Sequence, residues 1–197
     1  MRSEALAPWA EIVPDVGPMT VDELLALPDD GWQYELVEGR LVRMAPSGIW
    51  ASGVAMRLGA RLTVFVEDHS LGIVTGADGE FDLGAGTSLA PDVAFVRAER
   101  MLPPDSPLFE KAWPLAPDLA VEVASPNQYR PEMAAKARHY LTAGARLVWV
   151  VWPRRREVDV WRPGDAQKPS ATLVQADILD GLDTLPGFTY PVGRLFN

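Results

Sequence analysis

Leu119-Ala120-Val121-Glu122-Val123-Ala124, then Pro131 to Ala143 closed by Gly144, then Leu147-Val148-Trp149-Val150-Val151-Trp152, is the stretch that decides the fold class. The first six residues are apolar except for one carboxylate and have the length of a strand. Pro131 suits the first turn of a helix, where a missing N–H costs nothing, and Gly144 suits the position just past a helix end. Residues 147–152 are apolar throughout, the pattern of a strand buried on both faces. Strand, helix and strand in this order make a crossover unit, so the two strands are expected to lie parallel and adjacent.

The elements on either side extend this into an α/β domain. Upstream, Thr20-Val21-Asp22-Glu23 has the form of a capping box and opens a short helix expected to run through Leu27. Gln33–Val37 and Arg40–Met44 flank Glu38-Gly39, which suits a tight hairpin with positive φ at Gly39. From Ser47 to about Asp68, apolar residues recur at Val54, Leu58, Leu62, Phe65 and Val66, predicting the longest helix. Short strands are expected at Ile73–Thr75, Glu80–Leu83 and Asp92–Val96, before a proline-rich connection over 103–117. Downstream, Pro153 and Arg154-Arg155-Arg156 turn the chain into Glu157–Trp161, whose alternation predicts a half-exposed antiparallel strand, with a short strand to follow near Ala171–Val174. Residues 1–19 carry three prolines and little periodicity. They read as an irregular N-terminal extension to a domain spanning 20–197.

With 197 residues, 48% of them hydrophobic, the chain suits a single core. No apolar run of the sequence approaches the roughly 20 residues needed to span a bilayer, and the first residues lack the basic start and apolar stretch of a secretory signal. A cytoplasmic location without membrane association is therefore expected. The absence of cysteine excludes disulfides, thiolate nucleophiles and zinc–thiolate centres. Lys and Arg total 18 against 27 Asp and Glu, a net charge of −9 that disfavours non-specific attraction to a phosphate backbone. Local basic patches such as Arg154–Arg156, or a bound divalent cation, would have to reverse that sign where a phosphate sits.

Glu122 is the most informative position, because a carboxylate inside an apolar strand is costly to desolvate unless paired, protonated or bound to a cation. Alternation puts Val121 and Val123 on one face and Ala120, Glu122 and Ala124 on the other, where small neighbours leave space above the carboxylate. Asp92 follows Pro91 at the start of another strand. Two carboxylates on adjacent strands could share a Mg²⁺ or Mn²⁺ ion, since hard oxygen ligands suit both. Lys136 and Tyr140 lie four apart on the helix after the Glu122 strand and so share a face. Glu35 is a third acid on the hairpin, whose bland reading is a solvated strand face. Ser125 and Gln128 read as loop polarity, His69 and His139 as surface residues, and Trp149, Trp152 and Trp161 as packing. A glycosidase reading with Asp92 and Glu122 as acid and base finds no aromatic-lined sugar cleft in the sequence.

Several of these segments, taken together and in order, resemble the Uma-type family of putative restriction endonucleases, within the PD-(D/E)XK nuclease superfamily. The segments are Tyr34-Glu35-Leu36-Val37-Glu38-Gly39, Ala90-Pro91-Asp92-Val93-Ala94-Phe95-Val96 and Pro117–Pro126, with Lys136, Tyr140, Gly144 and Leu185-Pro186-Gly187-Phe188 in the same pattern. The resemblance covers the chain from about Met19. It implies a restriction-endonuclease-like fold, a central mixed β-sheet flanked by helices, and a Mg²⁺-dependent phosphodiester hydrolase acting on DNA. Asp92 then matches the motif aspartate, Glu122 the motif acid and Glu35 an early acidic residue. The superfamily lysine would fall on Ala124, and its role would pass to Lys136 on the following helix. A histidine often present near the start of the long helix is replaced near Trp50 or Ala51. The expected alternative is a nuclease-fold module that no longer cleaves and serves binding or dimerisation; an active homodimer would suit duplex cleavage.

Overall fold

The structure, a computed structural model, describes residues 10–44, 48–165 and 167–197. Residues 1–9 of the expected N-terminal extension, and Ser47 at the expected start of the long helix, lie outside these residues. Within the extension, strand β1 (Glu11–Ile12) pairs antiparallel with the second strand of the hairpin, so residues 11 and 12 are not irregular but add an edge to a sheet. Thr20 and Glu23 close their capping box at the head of α1 (Val21–Leu25), which ends two residues earlier than the sequence predicts.

The hairpin forms as expected from β2 (Gln33–Val37) and β3 (Arg40–Met44). Both turn residues take positive φ, 52° at Glu38 and 77° at Gly39, the conformation whose twist matches a two-residue hairpin. Helix α2 (Ile49–Asp68) then leads to β4 (Gly72–Gly76), β5 (Phe81–Gly84), β6 (Thr87–Leu89) and β7 (Val93–Arg97). Strand β8 (Leu119–Val123), α3 (Arg130–Thr142) and β9 (Leu147–Trp152) form the crossover, with β8 and β9 parallel in the register Glu122↔Val150. Beyond it lie β10 (Glu157–Trp161), β11 (Ala171–Leu173), β12 (Ile178–Asp180) and β13 (Thr189–Pro191).

Six strands make the central sheet in the order β11-β10-β9-β8-β7-β4, mixed because β8–β9 is parallel and the other pairs are antiparallel. Its two faces are covered differently. Helix α2 packs Val54, Leu58, Leu62 and Val66 against Leu119, Val121, Val123, Trp149 and Val151. By length and composition α2 could cross a membrane; here its apolar stripe is a core face, and burial of each such side chain contributes roughly 1.5–3 kcal/mol. On the opposite face, α3 and the hairpin bring Met133, Ala137, Tyr140, Val37 and Val42 against Ala120, Ala124, Val148 and Val150. The hairpin belongs to a second, five-stranded antiparallel sheet in the order β1-β3-β2-β6-β5.

Strand β10 corrects the expectation of half-exposure. Val158, Asp159, Val160 and Trp161 are all buried, and Asp159 is 2% exposed. The alternation of charge and apolar residues is present, yet the Asp159 face is covered by the first residue of α3: Arg130 donates to Asp159 and Glu157, joined by the Trp152 Nε1–H at 2.8 Å and the Thr172 hydroxyl at 2.6 Å. A charge that period-two reasoning assigns to water is thereby paired inside.

Candidate active site

Alternation along β8 places Glu122 on the α3 face, and the side chains there confirm the small-residue floor: Ala120 and Ala124 are buried on either side. Asp92 precedes β7. The register Val93↔Val121, carried one residue further, sets Asp92 opposite Glu122 across the β7–β8 pair. Instead of a backbone ladder bond at that point, Asp92 Oδ2 accepts the Val123 N–H at 2.6 Å. Its aspartate is thus held by the strand that carries Glu122.

Lys136 reaches the same place from α3. Its Nζ lies 3.1 Å from Glu122 Oε2 and 3.0 Å from Glu35 Oε1. Tyr140, one turn further along the helix, donates its O–H to Glu122 Oε1 at 2.7 Å. Glu35 also accepts the Ala90 N–H at 3.1 Å, two residues before Asp92. All four residues expected at the site, Glu35, Asp92, Glu122 and Lys136, are therefore neighbours, and Glu35 is buried rather than on a solvated strand face. Ser125 and Gln128 bond locally, the Ser125 N–H to Gln128 Oε1 at 2.8 Å. His69 is exposed, whereas His139, expected at the surface, is half-buried on α3 between Lys136 and Tyr140, and burial lowers its pKa. The three tryptophans are core side chains, as packing predicts.

Burial dominates the electrostatics. It pushes the Asp92 carboxyl upward, opposed by the Val123 hydrogen bond and Lys136. Glu122 is raised to about 8 by desolvation, with Lys136 and the Tyr140 hydrogen bond opposing and Asp92 and Glu35 reinforcing. Desolvation would lower Lys136, but Glu122, Glu35 and Asp92 outweigh it and the ammonium is held more tightly than usual. Below about pH 8 Glu122 therefore holds its proton while Lys136 stays charged. The reason is a charged Lys136 among more carboxylates than it can neutralise, so that one acid retains a proton when no other cation is near.

Sequence reasoning missed one member of this group. Glu80, just before β5, is raised to about 7 by burial, with Glu35 reinforcing, while a hydrogen bond from the Ser88 hydroxyl at 2.7 Å and the charge of Lys136 oppose. In the sequence Glu80 alternates with Phe81 as an ordinary solvent-facing acid would, and nothing local marks the fully buried Ser88 across the β5–β6 pair as its donor. Glu35, Glu80, Asp92, Glu122 and Lys136 line one cleft of about 900 Å³ between the two sheets.

No three histidine or carboxylate side chains among the described residues converge closely enough to hold a metal ion alone. Asp92 and Glu122 nevertheless fit Mg²⁺ or Mn²⁺, since such ions are commonly held by one or two carboxylates, water and substrate phosphate filling the rest. The surplus of buried negative charge around Lys136 is the local condition that a cation would relieve.

A mixed sheet covered by helices on both faces, with paired acids on adjacent strands and a lysine brought to them, defines a protein of the restriction-endonuclease-like nuclease fold. Four solved chains match it. One, described as a putative nuclease belonging to DUF820 from Anabaena variabilis ATCC 29413, has 21% sequence identity and a TM-score of 0.76, covering 91% of this chain and 98% of that one. No curated protein matches the chain in sequence. The family model "Uma2: Putative restriction endonuclease" matches residues 21–193. The chain belongs to the Uma2 family, and that membership supports a nuclease role.

Proposed function

We propose that this chain is a metal-dependent endonuclease that hydrolyses phosphodiester bonds in DNA, with Asp92, Glu122, Lys136 and Glu35 as its catalytic group. The observation that carries this reading is the Lys136 ammonium, buried and bridging Glu35 and Glu122 on the floor of the cleft. A Mg²⁺ or Mn²⁺ ion held by Asp92 and Glu122 would supply Lewis acidity toward a phosphate oxygen and activation of water. Two of the three Lys136 N–H groups are directed at carboxylates, and the third can orient the attacking water or a phosphate oxygen. Glu35, like Glu122, holds the ammonium in place. The Val123 N–H fixes Asp92, and the Tyr140 O–H fixes Glu122. Water attacks phosphorus and gives up a proton to bulk water, the bond to the leaving sugar oxygen breaks, and that oxygen takes up a proton from solvent. The reading extends to a homodimer, whose two clefts would address the two strands of a duplex, and to a cytoplasmic location without membrane attachment.

The test is cleavage of plasmid DNA with Mg²⁺ or Mn²⁺ by the native chain and by Asp92→Ala and Lys136→Ala. Loss of cleavage by about 10²–10³ in both variants is expected, the scale of removing one charge-stabilising group from an active site. Variants that degrade DNA as fast as the native protein would overturn the assignment. The net charge of −9 favours a second reading, a nuclease-fold module that binds without cutting. Titration calorimetry separates the two: a native protein that takes up no Mn²⁺ and cuts nothing leaves only the second.

A further inference from the structure

A smaller cavity of about 220 Å³ opens beside the acidic cleft, and Ser125, Pro126 and Gln128 line both. Its walls are aromatic and apolar. Trp50 at the start of α2 and Tyr129 at the cap of α3 both line it, 47% and 64% exposed. Trp152 and Pro153 contribute from the end of β9, and Arg154 and Arg155 from the turn that follows.

Rings this exposed forgo burial, and the folded chain makes no use of their faces as core. The charges around them are arranged by sign. The large cleft is lined by Glu11, Glu35, Asp78, Glu80, Asp92, Glu122 and Glu132, and its two cations are already engaged: Arg43 pairs with Glu11 at 2.5 Å and Lys136 with Glu35 and Glu122. Arg154 and Arg155 make no ion pair among the described residues, and Arg155 lies 5.8 Å above the Trp152 ring. A polyanionic strand crossing the cleft therefore meets unpaired positive charge at this side cavity. The cavity is smaller than the roughly 300–1,000 Å³ of sites for drug-sized ligands, a size for one flat ring system.

We propose that the Trp50–Tyr129 cavity is a subsite for one unpaired nucleobase of a DNA strand whose neighbouring phosphate occupies the Asp92–Glu122 cleft, with Arg154 and Arg155 holding the adjoining backbone. The proposal rests on the nuclease reading for the identity of the strand, and it adds what that reading lacks: the favoured substrate has a base out of its pair. Every base offers a π-face, so such a subsite selects unpaired structure rather than sequence. The unpaired base could belong to a single strand or be extruded from a duplex.

The full-length protein, with Ca²⁺ as a hard divalent cation in place of Mg²⁺ to keep the cleft neutralised while cleavage is suppressed, is titrated against a short fluorescein-labelled oligothymidylate and against a duplex containing the same strand, with binding read by anisotropy. Trp50→Ala and Tyr129→Ala are each expected to weaken binding by roughly 5- to 150-fold, the equivalent of one base–aromatic stack. Trp50→Phe and Tyr129→Phe keep a ring and are expected to bind close to the native level, which guards against a folding defect, as does an unchanged Tm. Replacing both Arg154 and Arg155 by Gln lowers the salt dependence by about 1.4 in slope, at about 0.7 per single-strand phosphate. Tighter binding of the single strand supports capture from single-stranded DNA, and equal binding of the duplex that still falls in the alanine variants supports extrusion. Alanine variants that bind like the native protein overturn the subsite. If plasmid cleavage remains Asp92-dependent in that case, the nuclease reading stands without it. A native protein that binds neither DNA overturns the subsite as well, and cleavage again decides the nuclease reading separately.

Discussion

Lys136 Nζ lies 3.0 Å from Glu35 Oε1, an ion pair that ties the crossover helix of the six-stranded sheet to the hairpin of the five-stranded one, with both side chains at most 3% exposed. Removing the ammonium alone leaves Glu35 and Glu122 facing each other in a dry site. Lys136→Met is therefore expected to cost about 3–5 kcal/mol at pH 8, the range for stranding a buried partner. The loss should be smaller at pH 5, where the carboxylates can take up protons, and Glu35→Gln in the same chain should recover part of it. Urea unfolding of the three proteins measures this; a Lys136→Met protein as stable as the native one at pH 8 would refute it.

The pH dependence of stability follows from the raised acids. Glu80 and Glu122 bind protons in the folded chain up to about 7 and about 8, against 4.5 for the ordinary side chain. Between those values the folded state holds protons that the unfolded state has released, so their contribution is complete below about 4.5 and is lost as the pH rises through 7 and 8. Asp92 is shifted in the same direction. Metal-free protein should have a higher Tm at pH 5 than at pH 8, and Glu80→Gln should flatten the lower part of that fall. Added Mn²⁺ should raise the Tm most at the alkaline end, where both ligands are ionised. A Tm that climbs from pH 5 to pH 8 without metal would contradict the charge surplus.

Tyr140→Phe removes one O–H and no packing volume. Its hydrogen bond lowers the Glu122 pKa, so without it the carboxyl should hold its proton to higher pH. Stability at pH 8 is expected to fall by about 1.5–3 kcal/mol, as for a hydrogen bond to a charged group. The midpoint for Mn²⁺ binding should move to higher pH in calorimetric titrations. An unmoved midpoint would show that Tyr140 supports packing alone.

Arg130→Ala tests whether the start of α3 sets the reach of Lys136. Asp159, 2% exposed, loses its cation but keeps the Trp152 and Thr172 donors, so a loss near the low end for broken buried pairs, about 3 kcal/mol, is expected. Because Arg130 touches none of the acids of the cleft, metal affinity should fall only as far as the helix shifts. Native stability in this variant, followed by thermal unfolding, would show that the pair is neutral.

Much of this protein was legible one element at a time. The crossover over 119–152 could be read because proline, glycine and an uninterrupted apolar strand are local signals, and the hairpin because Glu38-Gly39 is short enough to specify its own turn. Period two along β8 put Glu122 among small residues on the inner face. The same rule misplaced Asp159, because alternation sorts residues into two faces without saying what covers either one. It was silent on Glu80 for the same reason, since its partner Ser88 sits across a strand pair. The convergence of Glu35, Asp92, Glu122 and Lys136 was suggested by family resemblance and came from tertiary structure. A lysine stem long enough to cross between elements has no partner written into its neighbours, and the two sheets meet only when their apolar faces are buried against α3. Sequence thus determined which strands and helices exist and which way Glu122 points; packing decided which charges share the space above it.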